Sequence, residues 1–348
     1  MGGEAFAMRV LVTGGGGFLG SRICELLAER GDRPVAFGRS DYTHLLRRGI
    51  QTVRGDLRNS QAVREACRGC DAVIHAGALP GIWRERGIFH DINVVGTRNV
   101  LAACGDCGVP KLVYTSSPSV VFGDEALCGV DESQPYPARY LADYPATKAE
   151  AERRVLAANG QELSTVALRP HLIWGPGDPH LFPRIIAKAR AGTLRQIGDG
   201  TNLVDVTYID NAASAHILAL DRLAPGAPCA GKAYFISQGE PIRLWPWLNE
   251  ILLSLGIPPF TKRVSYRLAY AAGTILEYVY RLFGLASEPP MTRFLAGQLA
   301  KSHYFDISAS RRDLGYEAKV TTADGTRRLT DWLCAAGFGG RCAHPNDG

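Results

Sequence analysis

The sequence lacks the segments that would export the chain or carry it across a membrane. Its first eight residues have neither the basic start nor the apolar core of a signal peptide. The apolar stretch 264–286 is interrupted by Arg267, Glu277 and Arg281, whereas a spanning helix needs about 20 mostly apolar residues. These absences predict a cytoplasmic protein whose cysteines are reduced.

A dense basic patch and internal repeats are also absent. The net charge is +5, but Lys and Arg are dispersed along 348 residues, which argues against binding to nucleic acid. Hydrophobic residues make up 46% and charged residues 21%, as in ordinary globular enzymes. The length is sufficient for one large domain or two modest ones.

What the sequence does contain is an alternation of short apolar runs and helical stretches. Strands are predicted at residues 9–12, 34–37, 51–54, 71–76, 111–115, 164–168 and 233–237. Predicted helices, at 18–30, 60–67, 92–104 and 144–159, lie between them. The strands are continuously apolar, as expected when helices cover both faces of a sheet. The pattern predicts an α/β fold with a doubly wound parallel sheet of the Rossmann type.

The alternation weakens after Pro170, which predicts a second part of the molecule. We expect a dinucleotide-binding core at 8–170, completed by 204–238, and a smaller substrate-binding lobe formed by the C-terminal insertions 171–203 and 239–317. Residues 318–348 are expected to form a C-terminal helix and tail.

A glycine-rich turn follows the first strand. Within this turn, residues 13–20, Gly14 permits the tight bend and Gly17 lets the backbone approach a pyrophosphate. Gly20 allows close packing of helix and strand. The helix that begins at Phe18 and Leu19 would direct its N–H groups and dipole toward the phosphates. This turn predicts a dinucleotide site.

The end of the second strand bears on the choice of dinucleotide. An acidic residue there would hold the ribose 2′-hydroxyl of NAD, but the chain has Gly38 and Arg39. Arg39 could pair with the 2′-phosphate of NADP, or it could be a solvated arginine beside a glycine. We expect NADP(H), with NAD(H) as the alternative. Asp56 could accept a hydrogen bond from the adenine amino group or cap the next helix.

Tyr144 and Lys148 are the candidate catalytic pair. Positions i and i+4 share a helix face, so the ammonium could lie beside the phenol and lower its pKa from about 10. Ser116 and Ser117 end the fifth strand, where doubly wound folds bind their ligands, although serines are also common in turns. The group suggests hydride chemistry on a carbonyl or alcohol.

Together these motifs resemble the extended short-chain dehydrogenase/reductase superfamily. The segments 13–20, 75–78, 114–117, 144–148 and 169–176 carry the resemblance. It implies catalytic roles for Ser117, Tyr144 and Lys148 and a place for Asn93 in a proton relay, although Asn93 could instead be an amide on a helix surface. It also implies a homodimer that uses the Tyr144 helix. The further cofactor contacts that it implies are Leu57, Ala76, Gly77, Ala78, Tyr144, Lys148, Pro170 and Ile173. His171, which follows Pro170, could contact the cofactor or could simply occupy a turn.

Segments 203–211, 231–237 and 288–292 are similar to the 3β-hydroxysteroid dehydrogenase branch of that superfamily. Within the branch they resemble bacterial 2-alkyl-3-oxoalkanoate reductases and sterol 4α-carboxylate 3-dehydrogenases. The resemblance implies a large apolar substrate, a long-chain 3-oxo acid or a sterol. The leading hypothesis is NADPH-dependent reduction of a 2-alkyl-3-oxoalkanoate. The alternatives are an NAD-dependent 3β-hydroxysteroid dehydrogenase, a sugar-nucleotide epimerase or dehydratase, and a non-catalytic dinucleotide sensor. None needs a metal.

The sequence leaves two interpretations open for the cysteine pairs and two for the stretch 264–286. The pairs Cys67/Cys70 and Cys104/Cys107 could form a zinc site or disulfide, or could be buried thiols. The stretch 264–286 could be an amphipathic helix packed on its own lobe. It could instead form a hydrophobic substrate entrance or a peripheral contact with lipid.

Overall fold

The structure, a computed structural model, describes residues 7–85 and 87–339. Residues 340–348 of the predicted tail lie outside the described residues.

Seven parallel strands form the central sheet. Along the chain they are β1 (Arg9–Thr13), β2 (Arg33–Gly38), β3 (Gln51–Arg54), β4 (Ala72–His75), β5 (Lys111–Thr115), β7 (Ser164–Pro170) and β12 (Lys232–Ile236). Their order across the sheet is β12-β7-β5-β4-β1-β2-β3. All seven correspond to predicted strands, so the predicted doubly wound sheet is confirmed. The direction of winding reverses between β1 and β4, where such folds bind ligands.

Helices cover both faces of this sheet and also contribute to a second apolar core. They are α1 (Phe18–Glu29), α2 (Thr43–Leu46), α3 (Ser60–Cys67), α4 (Gly96–Cys107), α5 (Asp143–Ala157), α6 (Leu181–Arg190), α7 (Ile209–Arg222), α8 (Leu244–Ser254), α9 (Tyr266–Leu282), α10 (Arg293–Ala300), α11 (Ser308–Leu314) and α12 (Thr322–Ala335). The coverage explains the apolar strands, since Val10, Leu11 and Val12 are fully buried.

A second apolar core lies outside the central sheet. It contains Trp174, Phe182, Tyr208, Trp247 and residues of α8 and α12. Short strands accompany it: β6 (Leu127–Val130), β8 (Ile173–Trp174), β9 (Gln196–Ile197), β10 (Leu203–Val204), β11 (Thr207–Tyr208), β13 (Ile242–Arg243), β14 (Arg263–Val264) and β15 (His303–Phe305). Four of them form a sheet in the order β13-β10-β15-β6.

β6 was not expected in that sheet. It belongs to the segment between Ser117 and α5, yet it pairs with β15, nearly 180 residues further along the chain. The segment therefore leaves the central sheet, joins the second sheet, and returns to begin α5. Short edge pairings of this kind have no local sequence signal, because each strand is only two to four residues long.

The cysteine pairs approach each other as the strand order predicts. The side chains of Cys67 and Cys104 are in contact at the ends of α3 and α4, and both are buried. Across residues 7–85 and 87–339, no group of three or more His, Cys, Asp or Glu side chains could hold a metal ion. These cysteines are free thiols. The exception to the expected reduced state is Cys334, which takes part in a disulfide.

Within the described part of the chain, every helix is too short or too polar to traverse a bilayer. The stretch 264–286 contains α9, whose inner face (Ala269, Gly273 and Glu277) is buried.

Candidate active site

The glycine turn opens into a cavity of about 350 Å³. The predicted cofactor residues that line it are Gly14, Gly17, Phe18, Leu19, Gly20, Arg39, Asp56, Leu57, Ala76, Gly77 and Ala78. They come from the loops after β1, β2, β3 and β4, which meet at the carboxyl end of the sheet. Gly38, named above for the choice of dinucleotide, lines it too. Residues that sequence reasoning missed also line it: Phe37, Tyr42, Gly55, Leu79, Pro80, Ile92, Pro179 and His180.

The turn itself has the geometry that a pyrophosphate requires. Gly14 has a φ of +68°, and a Cβ there would lie 2.7 Å from the Gly77 Cα. A Cβ at Gly20 would lie 2.1 Å from the Gly14 carbonyl oxygen. α1 follows Gly17 with no side-chain cap and no acidic residue in its first turn. Its first N–H groups are therefore available to an anion, and the turn fits a dinucleotide.

Arg39, Tyr42 and Asp56 surround the end of the cavity beyond β2 and β3. Tyr42 packs so closely that a Cβ at Gly38 would lie 2.1 Å from its hydroxyl. Asp56 binds the backbone N–H and guanidinium of Arg58, which, with a smaller contribution from Arg39, hold the pKa of its carboxyl below the usual range. The alternative role of Asp56 as a helix cap is wrong, because Asn59 caps α3.

Asn93 connects this cavity to the catalytic helix. Its amide oxygen accepts from Leu79 N at 2.7 Å, and its amide nitrogen donates to Thr147 Oγ1 at 3.1 Å. It is buried within a π-helical turn, His90–Val95, and not on a helix surface. The sequence predicted an ordinary helix here. Such wider turns are rare and often mark functional sites.

Tyr144 and Ser117 meet where β5 ends and α5 begins. Tyr144 is in the first turn of α5, followed by Pro145, as predicted. Ser117 ends the loop after β5 and caps a short 3-10 turn, accepting from Ser119 N at 3.2 Å. Burial raises the pKa of Tyr144, and the neighbouring Ser117 hydroxyl partly offsets this. The phenol is therefore protonated and can donate.

Lys148 lies one turn further along α5, and β5 supplies partners for its ammonium. Its Nζ donates to Thr115 O at 2.6 Å and lies 4.2 Å from the centre of the Tyr114 ring. Burial lowers the pKa of Lys148 to about 7, and the charge of Glu152 opposes this. The expectation that Lys148 lowers the pKa of Tyr144 is wrong for this arrangement, because burial determines the direction of that shift.

Sequence reasoning missed a buried ion pair behind the lysine. Glu152, one turn after Lys148, accepts two hydrogen bonds from the Arg169 guanidinium, at 2.7 and 2.9 Å, and one from Tyr136 OH at 2.6 Å. Burial would raise the pKa of Glu152, but the hydrogen bonds from Arg169 hold it below the usual range. The i+4 spacing from Lys148 was a signal that could have revealed it.

The other predicted cofactor residues lie at the end of β7. Pro170 is buried at that strand end, next to Ile236 of β12. The His171 ring contacts His303 Nδ1 at 2.6 Å, and burial, with the neighbouring imidazole, lowers the pKa of His171 well below its usual value. Ile173 pairs with Thr207 in a two-stranded ribbon and packs against the second core. None of the three lines the 350 Å³ cavity.

A larger cavity, of about 600 Å³, lies on the other side of Asn93. Its walls come from three segments, 82–90 (of which residue 86 is not described), 141–147 and 277–292. Thr147 belongs to this wall, and Phe89, also a wall residue, has its ring edge-on to Tyr144 at 6.4 Å. Tyr144 and Ser117 are not wall residues themselves, so the cavity flanks the catalytic pair.

Comparison with known proteins agrees with this geometry. The sequence profile described as the 3-beta hydroxysteroid dehydrogenase/isomerase family matches residues 11–265. The chain is 52% identical to a protein of Stenotrophomonas maltophilia named 2-alkyl-3-oxoalkanoate reductase, over 92% of this chain and 98% of that one. It is 38% identical to 3beta-hydroxysteroid-dehydrogenase/decarboxylase isoform 1 of Arabidopsis thaliana, over 81% of this chain and 66% of that one.

A solved structure described as MoeE5 in complex with UDP-glucose and NAD has the same overall fold. Its TM-score is 0.72 at 27% identity, with 94% of this chain and 99% of that chain covered. The family match, the relatives and the nucleotide cavity exclude the non-catalytic alternative. The chain belongs to the 3-beta hydroxysteroid dehydrogenase/isomerase family, within the extended short-chain dehydrogenases/reductases, and is an NAD(P)-dependent oxidoreductase.

Proposed function

We propose that this protein reduces the 3-oxo group of a 2-alkyl-3-oxoalkanoate to the 3-hydroxy acid with NADPH. The observation that carries the proposal is the meeting of Ser117 and Tyr144 beside a 600 Å³ cavity, with Lys148 one turn behind them. The name and 52% identity of the Stenotrophomonas maltophilia relative support this choice of substrate.

Tyr144 is the acid of the reaction. As charge develops on the substrate oxygen, the phenol donates its proton to that atom, and the Ser117 hydroxyl hydrogen-bonds the same oxygen. Because burial raises the pKa of Tyr144, the proton is present throughout the neutral range. Asn93, held between Leu79 and Thr147, maintains the spacing of the nucleotide loop and the catalytic helix and can relay the proton that Tyr144 must regain.

NADPH fits the first cavity through the glycine turn, the N-terminus of α1 and Arg39. When bound, its nicotinamide supplies the hydride. Lys148 would hold the nicotinamide ribose through its ammonium, which donates a hydrogen bond to Thr115 O. The preference for NADPH is supported by the absence of an acidic side chain at the end of β2, where Gly38 stands, and by the cationic Arg39 at the cavity wall.

The apolar part of the substrate would occupy the second cavity. Ile82, Phe89, Leu141 and Leu285 contribute apolar side chains to its wall. Its volume is in the range of cavities that hold drug-sized ligands, about 300–1,000 Å³.

A second candidate function is oxidation of a 3β-hydroxysteroid with NAD, in which Tyr144 would act as base. The 38% identity to the Arabidopsis thaliana protein supports this candidate. Its substrate is also large and apolar, so the cavity does not separate the two.

Steady-state kinetics would decide between them. The purified protein would be assayed with a 2-alkyl-3-oxo acid and with a 3-ketosteroid, each with NADPH and with NADH. Turnover of the oxo acid with NADPH is expected. Turnover of the steroid alone would overturn the proposal in favour of the second candidate.

Arg39 is the residue to change in a test of cofactor choice. Arg39→Ala should weaken NADPH binding about tenfold and leave NADH binding unchanged, because only NADPH presents a 2′-phosphate to the guanidinium. Fluorescence titration would measure both affinities. Arg47→Ala is the matched control, since Arg47 is an exposed arginine outside the cavity wall. Equal losses for both cofactors would contradict the proposed role.

We also propose a cytoplasmic homodimer that forms through α4 and α5. The two helices pack side by side on one face of the central sheet. Two copies of this helix pair could therefore form a four-helix contact between the subunits. Light scattering of the purified protein would measure its mass; a monomer would contradict this proposal.

A further inference from the structure

α9 presents an apolar face that no part of the described chain covers. Leu268, Ile275 and Leu282 are spaced seven residues apart and are 63%, 63% and 65% exposed. Tyr278 and Phe283 extend the face and are each 70% exposed. The line from Leu268 to Leu282 is roughly 21 Å long, at 1.5 Å per residue. We call these five residues the outer face of α9.

The opposite side of α9 is firmly packed, so the outer face is held in place. A Cβ at Gly273 would lie 2.7 Å from the Thr292 backbone at the start of α10. Glu277 is buried and accepts three hydrogen bonds from the backbone and guanidinium of Arg293, at 2.7 to 2.9 Å. The only acidic side chain of α9 is therefore neutralised on the inner side.

The exposed charges within residues 251–287 have one sign. Residues 251–287 contain four basic side chains, Lys262, Arg263, Arg267 and Arg281, and Glu277 is their only acid. All four cations are exposed. Of the described residues, none forms an ion pair with Arg267 or Arg281 on α9 itself. An apolar helix face bordered by cations is the pattern of helices that lie in the interface of an anionic membrane.

The outer face also adjoins the wall of the 600 Å³ cavity. Tyr280, Arg281 and Leu285 of the same segment belong to the cavity wall. Trp83, on the opposite wall, donates from Nε1 to Leu285 O at 3.1 Å and stacks edge-on against Tyr280. The part of the cavity wall where these residues meet is therefore close to any surface on which α9 rests.

We propose that the outer face of α9 docks on anionic phospholipid membranes, so that an apolar substrate enters the cavity from the bilayer. The docking is inferred from α9 alone; the route of the substrate rests on the proposed function. The membrane is favoured over a second copy of the chain because a twofold contact would bring the unpaired cations of both copies together.

Vesicle flotation tests the docking without any assay of activity. The full chain would be mixed with phosphatidylcholine vesicles and with vesicles that also contain phosphatidylglycerol. Binding to the anionic vesicles only, and its loss as salt is raised, is the expected result. The double variant Leu268→Ser/Ile275→Ser should bind at least about tenfold more weakly, since two exposed apolar side chains no longer enter the interface. Arg267→Glu should also weaken binding to the anionic vesicles.

Leu46→Ser provides the matched control. Leu46 is an exposed leucine of α2, beside the nucleotide half of the molecule, and its loss should leave vesicle binding unchanged. Equal binding to neutral and anionic vesicles, or no binding to either, would overturn the proposal. A wild-type dimer that becomes monomeric in the double variant would assign the face to a second copy instead.

Activity measurements keep the two proposals separate. The double variant should retain the wild-type kcat/KM for a short, water-soluble 3-oxo acid and lose turnover of a long-chain substrate presented in anionic vesicles. If neither enzyme turns over any oxo acid, the proposed function fails while the vesicle result stands.

Discussion

The two cavities are built in different ways, although Asn93 connects their walls. The nucleotide cavity is formed by loops that follow four consecutive strands of one sheet, and much of its wall is glycine backbone. The larger cavity is formed by side chains from three segments separated by about 50 to 130 residues. Recognition by backbone tolerates almost no substitution, whereas recognition by side chains can change with the substrate. Binding in the first cavity should therefore be sensitive to a single methyl group added to a glycine. Binding in the second cavity should be sensitive to the volume of the side chains in its wall.

The largest effect should come from the phenol of Tyr144, which we propose is the catalytic acid. Tyr144→Phe removes the proton donor but keeps the ring that contacts Phe89. The kcat for the oxo acid should fall roughly 10³-fold while the Kd for NADPH stays unchanged. Stopped-flow kinetics and fluorescence titration would measure the two quantities. Tyr304→Phe, which removes a hydroxyl from β15, is the control. Retained turnover in Tyr144→Phe would remove Tyr144 from the mechanism.

The next effect tests the backbone cavity. Gly20→Ala places a Cβ 2.1 Å from the Gly14 carbonyl oxygen, so the turn must shift. A displacement of about 1 Å near the reacting groups can cost on the order of 100-fold, and a loss of this size is expected in kcat/KM. The Kd for NADPH should rise with it.

Gly105→Ala is the matched control for that change. Gly105 lies within α4 with open space around its Cβ position, so the substitution should leave kinetics unchanged and stabilise the helix by up to about 1 kcal/mol. If Gly20→Ala bound NADPH normally, the turn would not be the pyrophosphate site.

A smaller effect is expected in the side-chain cavity. Ala146→Phe adds a ring to its wall, so the KM for a long-chain oxo acid should rise about tenfold with little change for a short one. The Kd for NADPH should be unaffected. Ala157→Phe, at the exposed end of the same helix, is the control. A uniform loss for short and long substrates would show that this cavity does not hold the chain.

The smallest effect concerns the charge of Lys148. Its folded-state pKa of about 7 lies below the usual value of about 10.4, so the ammonium is present below pH 7 and lost above it. The kcat/KM for reduction should therefore decrease as pH rises through 7. Glu152→Gln removes the charge that raises this pKa, and the decrease should move to lower pH.

Glu150→Gln, on the exposed side of α5, should not move the pH profile of kcat/KM and serves as the control.

The lowered pKa of Lys148 also determines how the stability of the folded protein changes with pH. The folded state binds fewer protons than the unfolded state between pH 7 and about 10.4, so Lys148 makes the protein more stable as pH rises through that window. A Glu152→Gln profile identical to wild type would show that Lys148 does not limit the rate.

The same contrast explains how far the sequence could predict the molecule. Gly14, Gly20 and the seven apolar strands are local signals, because a tight turn and a buried parallel strand each require particular residues within a short stretch. Tyr42 could not be placed in this way, since its contact with Gly38 depends on how the loop after β2 folds back. The cavity wall near Trp83 and Leu285 depends on contacts across 202 residues.

The orientation of Lys148 shows a second limit. The i, i+4 spacing correctly placed it on the same face as Tyr144, but spacing does not determine where a long flexible side chain ends. Thr115 O and the Tyr114 ring, both supplied by β5, decide that. The pKa of Tyr144 likewise depends on how deeply the ring is enclosed, which is a property of the folded chain.

The path of β6 has a mechanical consequence for the active site. One continuous tether runs from Ser117 through β6, which is bonded to β15, and back to Tyr144. Its midpoint belongs to the four-stranded sheet, and its two ends carry the hydroxyls that we propose act on the substrate oxygen. The separation of the two hydroxyls therefore depends on the register between β6 and β15, in a sheet that contains neither of them.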